Sequence, residues 1–180
     1  MGTDIHIVAE VFRDGRWHLA DVDVPDGRNY WAFAVLADVR NGYGFAGSDT
    51  GEPLKPISEP RGLPDDLSLE LRAPPENEEV DTPWLGDHSF SWVTLEELLA
   101  YDLDAPLTLH GRVTPEDAKR WQEEGIPPGA SWRLFGEEGL VPLAWQKPIR
   151  DCAPLITELI NAIRDLGEPK NVRLVFGFDS

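Results

Sequence analysis

The sequence DIHIVAEVF, residues 4–12, alternates between two faces in the manner of a half-buried β-strand. The odd positions from 5 to 11 are all aliphatic and share one face, whereas Asp4 and His6 share the other, because side chains alternate along a strand. The Asp14-Gly15 pair that follows favours a tight turn, and WHLADVDV, residues 17–24, supplies a second strand. The chain is therefore predicted to begin with a β-hairpin.

The last ten residues, NVRLVFGFDS at 171–180, show the same period of two. Every even position from 172 to 178 is a large apolar residue, which predicts a strand with one strongly apolar face. We expect this strand to pair beside the amino-terminal hairpin. Strands mixed with helices that do not alternate regularly favour an α+β fold with a mainly antiparallel sheet. The length of 180 residues and the absence of an internal repeat favour a single domain over residues 1–180.

About three substantial helices are predicted. RNYWAFAVLADV, residues 28–39, has helical apolar spacing and is expected to be amphipathic. TLEELLAY, residues 94–101, opens with the Ser/Thr-x-x-Glu pattern of a capping box. Residues 151–166 form the third helix, with Gly167 as its stop. A shorter helix is expected to start at Thr114, where the following proline suits the first helical position.

Two long segments are dominated by turn-forming residues. Residues 41–82 are rich in Gly, Pro and acidic side chains, and LSLELR at 67–72 is the one short strand expected within them. Residues 124–147 are predicted to form turns and short strands. Loops this long inside one domain are often functional or mobile.

Composition limits the classes of partner. Sixteen Lys and Arg against 33 Asp and Glu give a formal charge of −17, which disfavours bulk binding to nucleic acids and to anionic membranes. The chain has a single cysteine, Cys152, so it cannot form an internal disulfide, which suits a reducing compartment. Cys152 is expected to be a buried thiol. No apolar stretch approaches the roughly 20 residues that span a bilayer, and no signal peptide opens the chain. We therefore expect a cytoplasmic protein.

Four blocks carry a resemblance to a known group of proteins. They are MGTDIH at 1–6, PISEPRGLPDD at 56–66, GDHSFSW at 86–92 and VFGFDS at 175–180. In these blocks the chain resembles an uncharacterised family of small proteins from tailed bacteriophages and from bacteria, many of them actinobacteria. The resemblance spans nearly the whole chain and implies a cytoplasmic accessory protein that acts on host metabolism or host defence. Relatives often carry a second histidine where this chain has Phe90, which weakens a metal role based on paired histidines there.

Asp4 and His6 form the first candidate site. Adjacent positions on one strand face place a carboxylate and an imidazole close enough to bind a metal ion together or to act as an acid–base pair. The alternative is that His6 is a histidine at the edge of the core, hydrogen-bonded to Asp4 or to the backbone. We name Asp4 and His6 as candidate catalytic residues.

GDHSFSW is predicted to be a loop just before a capped helix, where binding groups are commonly displayed. If this loop folds over the hairpin, Asp4, His6, Asp87 and His88 become four ligands for zinc, manganese or a similar divalent metal. His88 is then a third catalytic candidate, and Ser89 and Trp92 are candidate ligand-binding residues. The alternative makes His88 a hydrogen-bond donor that closes the loop and Trp92 a core anchor. The block lacks the G-x-S-x-G pattern, so a serine hydrolase is not expected.

Arginines near helix ends provide candidate anion-binding groups. Arg28, Asn29 and Tyr30 start the first predicted helix, and Arg40 follows its end. A guanidinium beside the amides of a helix start can hold phosphate or carboxylate, and Arg61 lies in a turn that could point to the same anion. Each arginine is alternatively a salt-bridge partner for the many acidic residues. Asp179 could reach the site if the last strand lies beside the first; the alternative is that it only caps an exposed strand end.

Two functions fit these observations. The first is a small metal-dependent hydrolase that acts on a phosphodiester or nucleotide-like molecule, with arginines stabilising the developing charge. The second is a non-catalytic protein that sequesters a small anionic, nucleotide-like ligand or masks a host protein, with docking favoured by complementary charge. The sequence leaves both open.

Overall fold

The computed structural model describes residues 2–43, 50–72, 83–128 and 139–180. Predicted loop residues 44–49, 73–82 and 129–138 lie outside these described residues. Within them the fold is α+β, as predicted, with two antiparallel sheets and helices packed against them. The strands are β1 Asp4–Arg13, β2 Arg16–Leu19, β3 His88–Thr94, β4 Pro106–Val113, β5 Val141–Pro148 and β6 Val172–Asp179. The helices are α1 Tyr30–Ala37, α2 Leu69–Arg72, α3 Leu95–Ala100, α4 Pro115–Glu124, α5 Ile149–Cys152 and α6 Pro154–Ile163, followed by a 3₁₀ turn at Pro169–Asn171.

The larger sheet has the strand order β2-β1-β6-β3. The predicted hairpin is confirmed: Arg13 pairs with Arg16 around a two-residue turn in which Asp14 and Gly15 both have positive φ. The predicted pairing of the last strand with the first is also confirmed, with Asp4 opposite Asp179 and Val11 opposite Val172. The amino-terminal and carboxy-terminal segments of the chain therefore lie side by side in the centre of this sheet.

The two faces of the larger sheet are covered differently. One face carries Ile5, Ala9, Leu174, Phe176 and Phe178 into the main core, where they pack against α1, α3 and α6. The opposite face carries a small apolar cluster built on Val8, Val175, Leu67, Leu85, Phe90 and Trp92. Because side chains alternate along a strand, successive residues of β1 and β6 face these two sides in turn.

Several local predictions need correction. The strand predicted at 67–72 is instead the short helix α2, because the backbone N–H groups of Leu71 and Arg72 both turn back to the Ser68 carbonyl. The loop predicted at 86–92 ends in β3, which pairs with β6. The second strand of the hairpin ends at Leu19 rather than at residue 24.

The helices also differ from their predicted forms. α1 is buried on nearly all sides rather than amphipathic, which is typical of a helix inside the core. Its cap is Asn29, whose side chain accepts a hydrogen bond from the backbone of Ala32. The helix predicted at 151–166 is split into α5 and α6 at Pro154, because proline donates no backbone hydrogen bond. The capping box of Thr94 and Glu97 and the Thr114 cap of α4 are present as predicted.

The smaller sheet pairs β4 with β5. β5 lies at the end of the segment predicted to hold only turns and short strands. Residues 50–52 lie along the other edge of β4. The backbone N–H of Glu52 donates to the Thr108 carbonyl, and the backbone N–H of His110 donates to the Thr50 carbonyl. Within the described residues, no helix combines the length and apolar character needed to cross a bilayer.

Candidate functional site

The β1–β6 pairing brings Asp179 to the first predicted site. Its carboxylate accepts the backbone N–H of Asp4 at 3.2 Å through Oδ1, and its Oδ2 lies 3.1 Å from His6 Nε2. His6 also lies against Trp84, with ring centroids 4.3 Å apart and planes inclined at 50°. Asp179 therefore reaches the site as expected, and His6 is bonded to Asp179 rather than to Asp4.

Asp4 makes its own ion pair. Arg28 donates to both of its carboxylate oxygens, at 2.8 Å from Nε and 2.6 Å from Nη2. The hydrogen bonds from Arg28 lower the pKa of the Asp4 carboxyl, although partial burial acts in the opposite direction. Both side chains are about half exposed, so the pair is screened by salt.

His88 lies on the other face of the sheet. It is paired in register with Phe178, which is paired with Ile5, and these apolar partners face the helices. Since directly opposed residues share a face, His88 is on the helix-covered side, whereas Asp4 and His6 are on the opposite side. Asp87 is exposed, and its backbone N–H donates to the Phe178 carbonyl.

Three of the four predicted metal ligands are consequently divided between two faces, with Asp4 and His6 on one and His88 on the other. Among the described residues, which include all four, no group of three or more His, Cys, Asp or Glu is arranged to hold a metal ion. The hypothesis that Asp4, His6, Asp87 and His88 form one centre required a loop folded over the hairpin. The chain instead continues from Asp87 into β3, and the register of β3 places His88 on the face opposite Asp4 and His6.

His88 lines a cavity of about 370 Å³ at the end of the larger sheet. Its walls come from the start of the chain, the end of α1 and the segment after it, residues 59 and 60, the start of β3 and Ser180. The polar lining residues are Thr3, Asp38, Arg40, Glu59, His88, Ser89 and Ser180. The cavity thus carries two basic side chains, two carboxylates and three hydroxyls.

The His88 ring is held between two hydroxyl groups. Nδ1 lies 3.0 Å from Ser89 Oγ, and Nε2 lies 3.1 Å from Ser180 Oγ. A neutral imidazole has one donor and one acceptor nitrogen, so one serine donates to the ring and the other accepts from it. The ring is oriented by both contacts and stacks on Phe178 at 6.3 Å between centroids.

Left-handed backbone is concentrated at this cavity. Four non-glycine residues of the described ranges have positive φ, and three of them line it: Asp38 at 58°, Arg40 at 55° and Ser89 at 51°. This conformation costs an ordinary L-residue roughly 1–2 kcal/mol. Ser89 adopts it in the β-bulge where the β3–β6 register shifts between His88 and Ser91. Strained backbone of this kind tends to cluster at functional sites.

Arg40 is tied into the cavity wall. Its Nε donates to Thr3 Oγ1 at 2.9 Å, and its guanidinium carbon lies 5.8 Å from the centroid of the Tyr30 ring. The Tyr30 hydroxyl accepts the backbone N–H of Thr3 at 3.1 Å. Tyr30 therefore positions the segment that carries Thr3, and it is itself almost completely buried.

Other predicted ligand-binding residues have structural roles in this arrangement. Asn29 caps α1 and donates to the Cys152 carbonyl at 3.0 Å. Arg61 makes a two-point ion pair with Glu97 at 2.6 and 3.0 Å and lies 4.9 Å over the Trp92 ring. These contacts attach the turn at residues 61–66, called the 61–66 turn, to β3 and α3. Neither Arg61 nor Trp92 lines the cavity.

Sequence reasoning did not select Thr3, Asp38, Glu59, Ser180 or Trp84. Thr3 and Ser180 adjoin Asp4 and Asp179, which were selected, so the predicted β1–β6 pairing contained a signal for both. Asp38 and Glu59 lie in the cavity wall because of the tertiary course of the segments that carry them, which no local pattern predicts. The chain matches no family model, and searches among curated proteins and solved structures found no similar protein.

Proposed function

We propose that the protein binds a small anionic, nucleotide-like molecule in the cavity beside His88. The observation that carries the proposal is the convergence there of Arg40 and His88, together with the positive φ of Asp38, Ser89 and Arg40 itself. Strain that the fold maintains at one place is consistent with a site whose geometry is selected for binding. The volume of about 370 Å³ falls within the range common for small-molecule sites.

The mixed charge of the cavity defines the ligand class. Arg40 and an imidazole are suited to a phosphate or carboxylate. Asp38 and Glu59 would repel a ligand that carried only negative charge, but they can accept hydrogen bonds from hydroxyl or amino groups. A sugar phosphate or nucleotide carries both an anionic group and such donors. The overall charge of −17 disfavours a nucleic-acid chain as the ligand.

The biological setting follows from the sequence resemblance. A phage-type accessory protein that sequesters a small nucleotide-like molecule would act on host metabolism or defence without catalysis. The alternative role of masking a host protein through acidic surface charge has less support, because it makes no use of the cavity. The metal-dependent hydrolase is not proposed further, because its ligand set is divided between the two sheet faces.

Calorimetric titration with inorganic phosphate, ribose 5-phosphate and AMP tests the proposal. We expect AMP or ribose 5-phosphate to bind more tightly than phosphate. Arg40→Gln should weaken binding by about tenfold, as the loss of one charge-assisted hydrogen bond implies. His88→Gln should weaken it less, because both ring nitrogens of His88 already contact serine hydroxyls in the free protein. Arg28→Gln is the matched control, because Arg28 lies at the same end of the sheet but bonds Asp4 on the opposite face.

Ser89→Gly gives a second test that avoids backbone strain. Glycine adopts positive φ without penalty, so this variant keeps the bulge while it removes the hydroxyl beside His88 Nδ1. It should fold as well as the wild type and bind more weakly. The proposal would be overturned if none of the three probes bound, or if Arg28→Gln weakened binding as much as Arg40→Gln did.

A further inference from the structure

A histidine–carboxylate pair lies on the sheet face opposite the cavity. Cross-strand pairing of Asp4 with Asp179 and of His6 with Gly177 places His6 and Asp179 as diagonal neighbours, with Nε2 and Oδ2 3.1 Å apart. The other oxygen of Asp179 accepts the backbone N–H of Asp4. Both oxygens of the Asp179 carboxylate are therefore hydrogen-bonded, and the contact at Oδ2 orients the His6 ring.

This contact fixes the tautomer of His6. A carboxylate only accepts hydrogen bonds, so the proton of a neutral ring lies on Nε2, and Nδ1 carries the lone pair. Within the part of the chain that the structure describes, Nδ1 of His6 has no hydrogen-bond partner. The His6 and Asp179 side chains are 26% and 29% exposed, so Nδ1 belongs to a ring that solvent and small molecules can reach.

An exposed aromatic ring adjoins the pair. Trp84 is 55% exposed and lies 4.3 Å from the His6 ring between centroids. An indole of this size is normally buried, and its remaining free surface provides a platform on which a planar ring can stack. The base and the platform are adjacent to each other.

We propose that Asp179, His6 and Trp84 form a general-base site that hydrolyses esters bearing a planar aromatic group. His6 is the catalytic residue, Asp179 is a positioning residue that fixes its tautomer, and Trp84 binds the aromatic part. This arrangement follows the logic by which an oriented imidazole removes a proton from a nucleophile. The activity uses the face opposite the binding cavity and does not rest on the function proposed above.

The reaction balances with water as the only co-reactant. His6 Nδ1 takes a proton from water as the water oxygen bonds to the acyl carbon. The tetrahedral intermediate then collapses, the bond from carbon to the aryloxy leaving group breaks, and the proton on His6 passes to the leaving group or to solvent. The products are one carboxylic acid and one phenol.

The probe is p-nitrophenyl acetate, because its ring can stack on Trp84 and its phenolate is coloured. We expect enzyme-dependent hydrolysis that His6→Gln lowers roughly tenfold or more, as is typical when a general base is lost. His110→Gln, which removes an exposed histidine of β4, is the matched control and should keep the wild-type rate. Hydrolysis that is absent from the wild type, or that His110→Gln reduces as much as His6→Gln, would overturn the proposal.

Substitutions at two further residues separate positioning from binding. Asp179→Asn should lower kcat several-fold with little change in KM, and Asp179→Glu should restore part of the loss, which a purely structural role would not produce. Trp84→Ala should raise KM while Trp84→Phe restores it. Circular dichroism checks that each variant folds, and the Asp179 and Trp84 variants decide the matter if His6→Gln does not fold. Unchanged kinetics in Asp179→Asn would contradict the assigned role.

Discussion

Glu10 and Arg173 oppose each other directly across the β1–β6 ladder, and their side chains form an ion pair of 2.7 Å inside the protein. The exposed fraction is 0% for the Glu10 side chain and 2% for that of Arg173. The remaining groups of the pair are also bonded: Glu10 Oε1 accepts the backbone N–H of Ser68, and Arg173 donates to Asp66 at 2.7 Å. The Trp17 ring covers the guanidinium at 3.9 Å.

Removal of one partner of this pair should be strongly destabilising. Arg173→Met leaves the Glu10 carboxylate buried without its counter-charge, and we expect a loss of about 3–5 kcal/mol in the free energy of unfolding. Urea denaturation followed by tryptophan fluorescence measures it. The double substitution Glu10→Leu with Arg173→Met should recover much of this loss, because it leaves no unpaired buried charge. If Arg173→Met alone lowered the free energy of unfolding by less than about 1 kcal/mol, the role assigned to the pair would be contradicted.

Acid should weaken the attachment of the 61–66 turn. Burial alone would raise the pKa of Glu97, but the hydrogen bonds from Arg61 and Thr94 outweigh it and lower the pKa below 4.5. A carboxyl whose pKa is lowered by folding stabilises the protein above the unfolded-state pKa and loses that contribution as pH falls through the folded-state value. The free energy of unfolding should therefore decrease as the pH falls below about 5.

The contribution of Glu97 can be separated from that of other carboxylates by substitution. Glu97→Gln should make the free energy of unfolding less dependent on acid pH. At neutral pH it should lower that free energy by about 1 kcal/mol, which is typical when a helix-capping interaction is lost. Glu96→Gln is the matched control, since Glu96 is the exposed neighbour in the same helical turn. Equal pH profiles for the two variants would show that the Arg61–Glu97 pair contributes nothing measurable.

Gly177 is expected to tolerate no side chain. A Cβ there would overlap the Leu85 carbonyl oxygen and approach the Phe90 ring at 2.6 Å. Gly177→Ala should therefore cost about 1–3 kcal/mol through overpacking. Gly27→Ala is the control, because a Cβ at Gly27 has no neighbour within 4 Å, and its effect should stay within about 0.5 kcal/mol. Thermal unfolding compares them, and similar melting temperatures would contradict the close approach of β6 and the segment before β3.

Cys152 should be unreactive in the folded protein. Burial raises the pKa of its thiol to about 11, so little thiolate is present near neutrality. Ellman's reagent at about pH 8 should label the native protein far more slowly than the protein unfolded in urea. Fast labelling of the native state would show that the segment around α5 opens readily.

Local sequence patterns identified much of the fold. Alternation and the Asp14-Gly15 turn predicted the hairpin, and the apolar even positions of the last strand predicted its place beside β1. Capping chemistry at Thr94 and Thr114 located two helix starts. These features depend on residues a few positions apart in the sequence, or on the regular apolar alternation of one strand. They can therefore be predicted from local sequence patterns. β5 lies mostly in a segment predicted to form only turns and short strands, because prolines at positions 142 and 148 interrupt its alternation.

The candidate site depended on information that no local pattern holds. Asp4, His6 and Asp179 were correctly expected near one another, because their relation follows from the pairing of two recognisable strands. The position of His88 was not, because it depends on the register of β3 against β6 and on the bulge at Ser89. A shift of one residue in register moves a side chain to the other face of a sheet. The sequence thus determined which residues alternate together, while tertiary pairing alone decided that His88 faces the cavity with Arg40 and that His6 faces Trp84 on the opposite side.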